Sequence, residues 1–415
     1  MAAASPAEGK IADEVARLVR DDGGRLLAHL ISALRDFQLA EDCFQDAVEA
    51  ALIHWRRTGL PRSPQAWLVR TAQRKAIDRI RRAANFRSKS VEIAALIALD
   101  AETAEAEPDA IADDRLKLIF TCCHPALDRS TSVALTLRSV AGLRTEEIAR
   151  AFVVGPDAMA QRLVRARHKI ARAGIRYEVP GPDGWGERLE GVLAVIYLMF
   201  NEGYAASSDI RPRVDLCEEA IRLGRLLVAL TPGEAEAEGL LALMLFHQAR
   251  SRTRAGMLGE MLTLEEQDRS LWDRAAIAEA TALLTTALRR GHEGIYQFQA
   301  AIAAEHAGAE SFDETDWAEI ALIYDALIAV RPNPVFELNR IVALFYAAGP
   351  DMALRRLGAI KDALAGYQPY HAVRAHILGA VGEVEAARIA FDAAIALSGT
   401  EAERAFLSRR RNALA

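Results

Sequence analysis

Apolar residues recur at three- and four-residue steps along almost the whole chain, and alternating β-branched runs are scarce. This pattern predicts an all-α protein. Over 39–55, the positions Leu39, Cys43, Phe44, Ala47, Val48, Ala51, Leu52 and Trp55 form one stripe. Asp42, Gln45, Asp46 and Glu49 fall on the opposite face. Gly59, Pro61 and Pro64 then break the pattern. A second helical pattern over 67–89 puts Val69, Ala72, Ala76, Ile77 and Ile80 on one face. Trp67, Arg70, Thr71, Arg74, Asp78 and Arg81 lie on the other. Residues 91–114 show little apolar periodicity beyond 93–99 and predict a flexible tether. Residues 143–151, 153–157 and 158–173 have the lengths of a helix, a turn and a helix. Two prolines and two glycines in 179–184 stop any helix, and helical hairpins continue from there to the C-terminus.

The last part carries a degenerate repeat. Ala375, Leu378, Gly382, Ala387, Phe391 and Ala394 have the small/large spacing of a tetratricopeptide (TPR) helix pair. Ala220, Leu227 and Pro232 fit the second helix of such a unit with its closing proline, and Tyr324 and Pro332 have a similar offset. An insertion at 309–316 spoils the period. Small residues at these positions mean close approach of paired helices.

Charge changes the picture more than composition does. The chain has 415 residues and a net charge of −6, but the charge is segregated. Residues 1–90 carry +5, 91–114 carry −8, 115–178 carry +7 and 179–415 carry −10. Two small basic units flanking an acidic tether suggest a polyanionic partner, most often nucleic acid. No uncharged apolar run approaches the ~20 residues of a membrane span, the first ten residues have no signal core, and four cysteines make no disulfide framework. A cytoplasmic protein is expected. Adjacent Cys122 and Cys123 point in different directions on a helix and have no second pair at zinc spacing, so they are expected to be buried thiols.

Three constellations carry the chemistry. The acidic face Asp42, Gln45, Asp46 and Glu49, inside a basic unit, should avoid DNA and suits a basic protein surface; a solvated helix face is the plain alternative. The 67–89 segment has eight basic residues and one acid, with an indole on the basic face. Guanidinium groups there hold phosphates, and Trp67 offers a stacking or wedging surface to exposed bases. On the 158–173 helix, Arg162, Arg165, Lys169, Arg172 and Arg176 project within about 80°, at 3.6 residues per turn. Met159, Leu163, Ala166 and Ile170 cover the packing side, and Gln161 and His168 flank the cations. Gln161 and Arg162, near the N-terminal end, suit base edges, and Arg165 onward suits phosphates. No glycine-rich phosphate loop after a strand, no G-x-S-x-G and no His-Glu-x-x-His occurs. No catalytic residue, metal or cofactor is therefore expected.

In order and spacing these constellations resemble an extracytoplasmic-function (ECF) sigma factor of bacterial RNA polymerase. Ala40-Glu41-Asp42-Cys43-Phe44-Gln45-Asp46-Ala47 is similar to the region 2.1–2.2 signature, and Ala66-Trp67-Leu68 through Arg81-Arg82 to regions 2.3–2.4. Glu146-Glu147-Ile148-Ala149 and Arg162 through Arg167 are similar to region 4.2. Phe120-Thr121-Cys122-Cys123-His124-Pro125 and Tyr197-Leu198-Met199-Phe200-Asn201-Glu202-Gly203-Tyr204 resemble the ECF group with a fused C-terminal TPR-like domain. The resemblance implies four parts: region 2 at 10–90, an acidic linker at 91–114, a helix-turn-helix region 4 at 115–178, and a regulatory TPR-like array at 179–415. It implies that Asp42, Gln45, Asp46 and Glu49 meet the β′ clamp helices of core RNA polymerase. Trp67, Arg70, Arg74, Lys75, Asp78 and Arg81 would recognise and melt the −10 element. Gln161, Arg162, Arg165, His168 and Lys169 would read the −35 element, with region 4 also touching the β flap. A regulatory protein on the C-terminal array is a further expected partner. The chain departs from the pattern at Lys75, at Ala158 and Ala160, and at Arg144, where Thr145 is the candidate helix cap. Two other readings stay open: a helix-turn-helix regulator that makes no polymerase contact, and a TPR scaffold for protein partners.

Overall fold

The computed structural model describes residues 6–83, 114–152, 154–206, 216–254 and 262–414. Among these every regular element is helical, as the periodicity predicts. The expected tether at 91–114 lies outside the described residues except for Asp114. The chain divides into two compact units, one of residues 1–199 and 212–219, the other of 200–211 and 220–415.

In the first unit, α1 (Pro6–Leu34), α2 (Phe37–Thr58) and α3 (Pro64–Ala83) pack together. Asp36 caps α2, its carboxylate accepting the Leu39 N–H at 3.0 Å. Gly59 ends the helix at φ +77, a conformation an L side chain resists, and donates its N–H to the Trp55 carbonyl. α3 buries Leu68, Val69, Ala72, Ala76, Ile77 and Ile80, the face its periodicity assigns to the core.

Four shorter helices follow: α4 (Arg115–Cys122), α5 (Arg129–Ser139), α6 (Thr145–Ala151) and α7 (Pro156–Arg172). Thr145 is not the cap of α6. The Glu147 carboxylate reaches back to accept the Arg144 backbone N–H at 2.8 Å, so the helix start is closed by its third residue. α7 begins with proline at its first position, where the missing N–H costs nothing. α5 lies against α1 at near backbone contact. A Cβ at Gly24 would collide with the Val140 carbonyl oxygen, and one at Gly142, already at φ +73, would sit 2.9 Å from the Val19 carbonyl oxygen. Cys122 and Cys123 are buried as expected; burial raises both thiols, Cys123 to about 12.

The expected boundary at residue 178 falls inside this unit. α8 (Pro182–Ala206) returns Trp185 onto the Phe120 ring, with centroids 5.3 Å apart. Arg188 of the same helix donates to the Phe120 carbonyl at 2.6 Å.

The second unit is a succession of antiparallel helical hairpins. It contains most of α9 (Leu216–Leu230), then α10 (Ala235–Ala249), α11 (Arg274–Leu288), α12 (Ile295–Gly308), α13 (Trp317–Val330) and α14 (Pro334–Ala348). It ends with α15 (Pro350–Leu357), α16 (Gln368–Ala380), α17 (Val384–Ala396) and α18 (Glu401–Asn412). Asp273, Asp316, Asn333 and Thr400 cap α11, α13, α14 and α18. α10 is buried on nearly every side, which a helix apolar all round requires. Glu236 accepts the Tyr296 and Gln297 N–H groups, both at 3.1 Å, and so caps α12 from a neighbouring helix. The small positions expected to mark close approach do so: Ala375, Ala387 and Ala394 are buried between α16, α17 and α18, and Gly382 turns the α16–α17 hairpin at φ +82.

The 309–316 insertion is tied down by Arg269, only 5% exposed. Its guanidinium donates to the His306 carbonyl at 2.7 Å, the Ala309 carbonyl at 2.9 Å and Thr315 Oγ1 at 3.2 Å, and it lies 5.1 Å over the Trp272 ring. Arg269→Met keeps the stem and orphans these acceptors. It should lower the stability of the full chain by roughly 3 kcal/mol, read as a shifted urea midpoint, while Thr315→Val should cost less than half as much.

Candidate functional site

Helix α2 puts two different surfaces side by side. Gln45 and Glu49 are exposed, and Asp42 and Asp46 are half-buried. Arg79 of α3 bridges the two aspartates, with Nη1 3.3 Å from Asp42 Oδ2 and Nη2 2.8 Å from Asp46 Oδ2. Half of the expected acidic face is therefore already matched by a cation of its own unit. Gln45 and Glu49 line a groove of about 740 Å³ whose other walls include α1, Arg138 and Ser139 of α5, the Leu143–Arg144 and Glu147 stretch at the start of α6, and Glu218 and Glu219.

At the back of that groove lies a residue that the periodicity argument missed. Glu41 is 3% exposed. Its Oε1 accepts from Arg138 Nε of α5 at 3.2 Å and from Gln45 Nε2 at 3.2 Å. Its Oε2 accepts from Arg167 Nη1 of α7 at 2.8 Å. Both arginines also hold backbone carbonyls, Arg138 that of Leu143 and Arg167 that of Leu163. A signal was present. Glu41 stands four residues after Phe37 and three before Phe44, on the apolar side of α2, and Arg167 stands four after Leu163 and three before Ile170, on the apolar side of α7. Opposite charges set into two packing faces predict each other. Tyr177 adds a second tie, its hydroxyl donating to the Ala28 carbonyl at 3.0 Å.

The basic face of α3 runs Trp67, Arg70, Arg74, Asp78, Arg81, with Arg74, Asp78 and Arg81 exposed and Trp67, Arg70 and Lys75 half-buried. Trp67 is partly a packing residue and partly open surface. Its ring meets Trp55 edge-on at 5.2 Å and stacks on His54 at 5.8 Å, which fixes its orientation, and part of its surface remains open. The basic stretch beyond Ala83 lies outside the described residues.

On α7, Met159, Leu163, Ala166 and Ile170 are buried, while Gln161, Arg165, His168 and Lys169 are exposed. Arg162 differs from its neighbours. It is half-buried, donates to Ser130 Oγ at 3.0 Å, and lies 5.7 Å over the Phe152 ring. Of the five expected contact residues, four face solvent and Arg162 is anchored to α5 and α6. Among the described residues no group of three or more His, Cys, Asp or Glu side chains is placed to hold a metal ion, and no helix is long and apolar enough to cross a membrane.

Residues 18–86, spanning most of α1 with α2 and α3, match the sigma-70 region 2 family. Residues 188–288 match a family of unknown function, DUF6596. An uncharacterized protein of Rhizobium meliloti (strain 1021) is 43% identical over 390 residues, covering 93% of this chain and 92% of its own length. No solved structure matches the chain. The sigma-70 region 2 match lies on the helices that carry the acidic face and the Trp67 face, and it supports a sigma-factor role in transcription initiation. The chain belongs to the family of that Rhizobium meliloti protein, and its residues 18–86 match sigma-70 region 2.

Proposed function

We propose that the chain is an ECF-type sigma factor that directs core RNA polymerase to promoters, with a C-terminal TPR-like array that regulates it. The observation that carries this reading is the pairing on α2 and α3: an acidic, partner-facing surface beside a basic surface with an oriented, half-open tryptophan, both inside the span that matches sigma-70 region 2. A regulator of intact duplex DNA has no use for that indole. In this reading Gln45, Asp46 and Glu49, with Asp42, engage the β′ clamp helices. Trp67, Arg70, Arg74, Lys75, Asp78 and Arg81 hold and open the −10 element, because an indole with flanking guanidiniums grips unstacked bases and phosphates. Helices α6 and α7 act as a helix-turn-helix on the −35 element. Gln161 meets base edges, Arg165, His168 and Lys169 meet the backbone, and Arg162 holds the motif together through Ser130 as much as it contacts DNA. The protein works in the cytoplasm without catalysis or cofactor of its own, and the array offers a surface to a regulatory protein.

The packing of α5–α7 on α1 and α2 bears on this function. Gln45 and Glu49 look into a groove walled by α6. A helical partner reaches them fully only when α4–α7 swing away from α1–α3, which requires the Glu41 carboxylate to leave Arg138 and Arg167. The factor as it stands is closed, and polymerase binding is an opening reaction.

Run-off transcription by core polymerase and the full chain on a library of genomic promoters tests the role: new specific transcripts are expected. Tight duplex binding without transcripts would favour the plain regulator. Arg165→Ala should weaken promoter binding by the holoenzyme uniformly across sequences and reduce the slope of log affinity against log salt by about 1; an unchanged slope would remove Arg165 from the DNA interface. Asp46→Ala should weaken core-polymerase binding while circular dichroism of the chain stays the same. Glu41→Gln leaves two guanidiniums facing a neutral amide. It should lower amide-exchange protection in α7 and raise core-polymerase affinity several-fold, since a neutral amide holds the two guanidiniums less well than the carboxylate does. Unchanged affinity would mean that the groove is not where polymerase binds.

A further inference from the structure

Arg269, Arg138 and Arg167 tie this fold together, each through two or more acceptors. Arg269 serves two carbonyls and a hydroxyl. Arg138 and Arg167 each serve the Glu41 carboxylate and a backbone carbonyl. Arg162 of α7 is held differently. Its Nη1 donates to Ser130 Oγ of α5 at 3.0 Å, and among the described residues its side chain makes no other hydrogen bond and no ion pair. The ring of Phe152, at the C-terminal end of α6, lies 5.7 Å from the guanidinium and covers one of its faces. Asp128, which caps α5, adds a negative charge nearby. Its carboxyl lies below the usual range, chiefly through its hydrogen bond with Thr131 and in smaller part through Arg162.

These contacts orient a planar group without using up its donors. The ring face sets the plane, and the bond at Nη1 sets a direction within it. The edge on which Nε and Nη2 present two parallel N–H groups stays unengaged among the described residues. That fork matches the O6/N7 edge of guanine. In a helix-turn-helix the N-terminal part of the second helix meets base edges, and Arg162 stands in the second turn of α7. The side chains of Gln161, Arg165, His168 and Lys169 are exposed and make no hydrogen bond or ion pair among the described residues. DNA must order those four at a cost in rotamer entropy, whereas Ser130 and Phe152 order Arg162 beforehand.

We propose that Arg162 is a specificity-determining residue of the −35 surface, reading one guanine through its Nε–Nη2 edge, and that Ser130 and Phe152 are the positioning residues that aim it. The proposal rests on the helix-turn-helix reading of α6 and α7 given above.

Selection from duplexes with a randomised −35 segment tests it, using the holoenzyme of full chain and core polymerase. The wild type is expected to select guanine at one position. Arg162→Ala should reduce that preference roughly tenfold or more, the size of a lost bidentate contact. Ser130→Ala should weaken it several-fold at the same position and leave the slope of log affinity against log salt unchanged, because no phosphate contact is lost. Ser130→Thr keeps the hydroxyl and should restore the preference. Phe152→Leu should act like Ser130→Ala, and the Ser130 pair, at an exposed position, decides the matter should Phe152→Leu fail to fold. Undiminished guanine preference in Ser130→Ala, or a loss spread evenly over all sequences, would overturn the positioning role. Weaker binding by Arg162→Ala with no position relaxed would make Arg162 a phosphate contact, overturning the proposal while the helix-turn-helix reading stands. Unchanged binding by both Arg162→Ala and Arg165→Ala would overturn that reading, and the proposal with it.

Discussion

The first unit depends on one buried carboxylate. Glu41 projects from α2 into the seam with α5 and α7, where Arg138 and Arg167 close on it. Taking three charges out of water is expensive, and their mutual attraction roughly offsets that expense, so the cluster adds little net stability. What it contributes is selectivity. An apolar seam would tolerate a rotation of α7 by part of a turn, whereas this one accepts only the register in which both guanidiniums reach the carboxylate. The glycines at 24 and 142 reinforce that register from the opposite direction, since the backbones approach too closely for any other packing. Attraction in one place and exclusion in another define a single closed arrangement, and the surfaces on α2, α3 and α7 inherit their positions from it.

The elements of this fold were legible because they obey local rules. Stripes at 3.6-residue spacing located α2, α3 and α7 and most of their buried positions, although on α2 Leu39, Val48 and Leu52 are only half-buried and Phe37, Ala40 and Glu41 are buried outside the stripe, and the small positions of α16 and α17 lie where their spacing put them. Relations between distant residues were not legible. Nothing within one helical turn of Arg79 indicates that it reaches across to Asp42 and Asp46, so α2 alone does not show that its acidic face is partly matched from within the unit. Arg162 looked like its neighbours in projection, but Ser130, 32 residues earlier, captures it. The boundary near residue 178 followed the proline and glycine cluster. The cluster does stop a helix, but the chain comes back to pack on Phe120 before the unit ends. Glu41 and Arg167, 126 residues apart, sit between these cases: each was individually odd on its own apolar face, and only the pair makes sense.

The second unit follows a different logic. Its helices pack through alanines, glycines and leucines, with ion pairs such as Arg225–Glu279, Arg340–Asp325 and Arg411–Asp392 along their flanks, while a few less exposed polar groups support helix starts and irregular parts. Glu236 caps a neighbouring helix, Glu238 and Arg290 form a two-point pair at 2.8–2.9 Å, and Arg269 pins an insertion with carbonyls in place of a carboxylate. A stack of helical hairpins can absorb an irregular segment only where something satisfies the backbone groups it exposes. The guanidinium does this with several donors in one plane, and it leaves positive potential in an otherwise acidic body.

The Arg79 bridge makes recognition at α2 an exchange. A cationic partner arriving at Asp42 and Asp46 meets carboxylates that are already served. What it gains is the difference between two similar, partly exposed ion pairs, a small quantity. Affinity must therefore come from elsewhere in the contact, and the aspartates act as a filter, rewarding only a partner whose cations match the spacing Arg79 already satisfies. Each such substitution also releases a guanidinium on the helix that carries Trp67. A partner on the acidic face of α2 would in this way add positive charge beside the Trp67 face of α3.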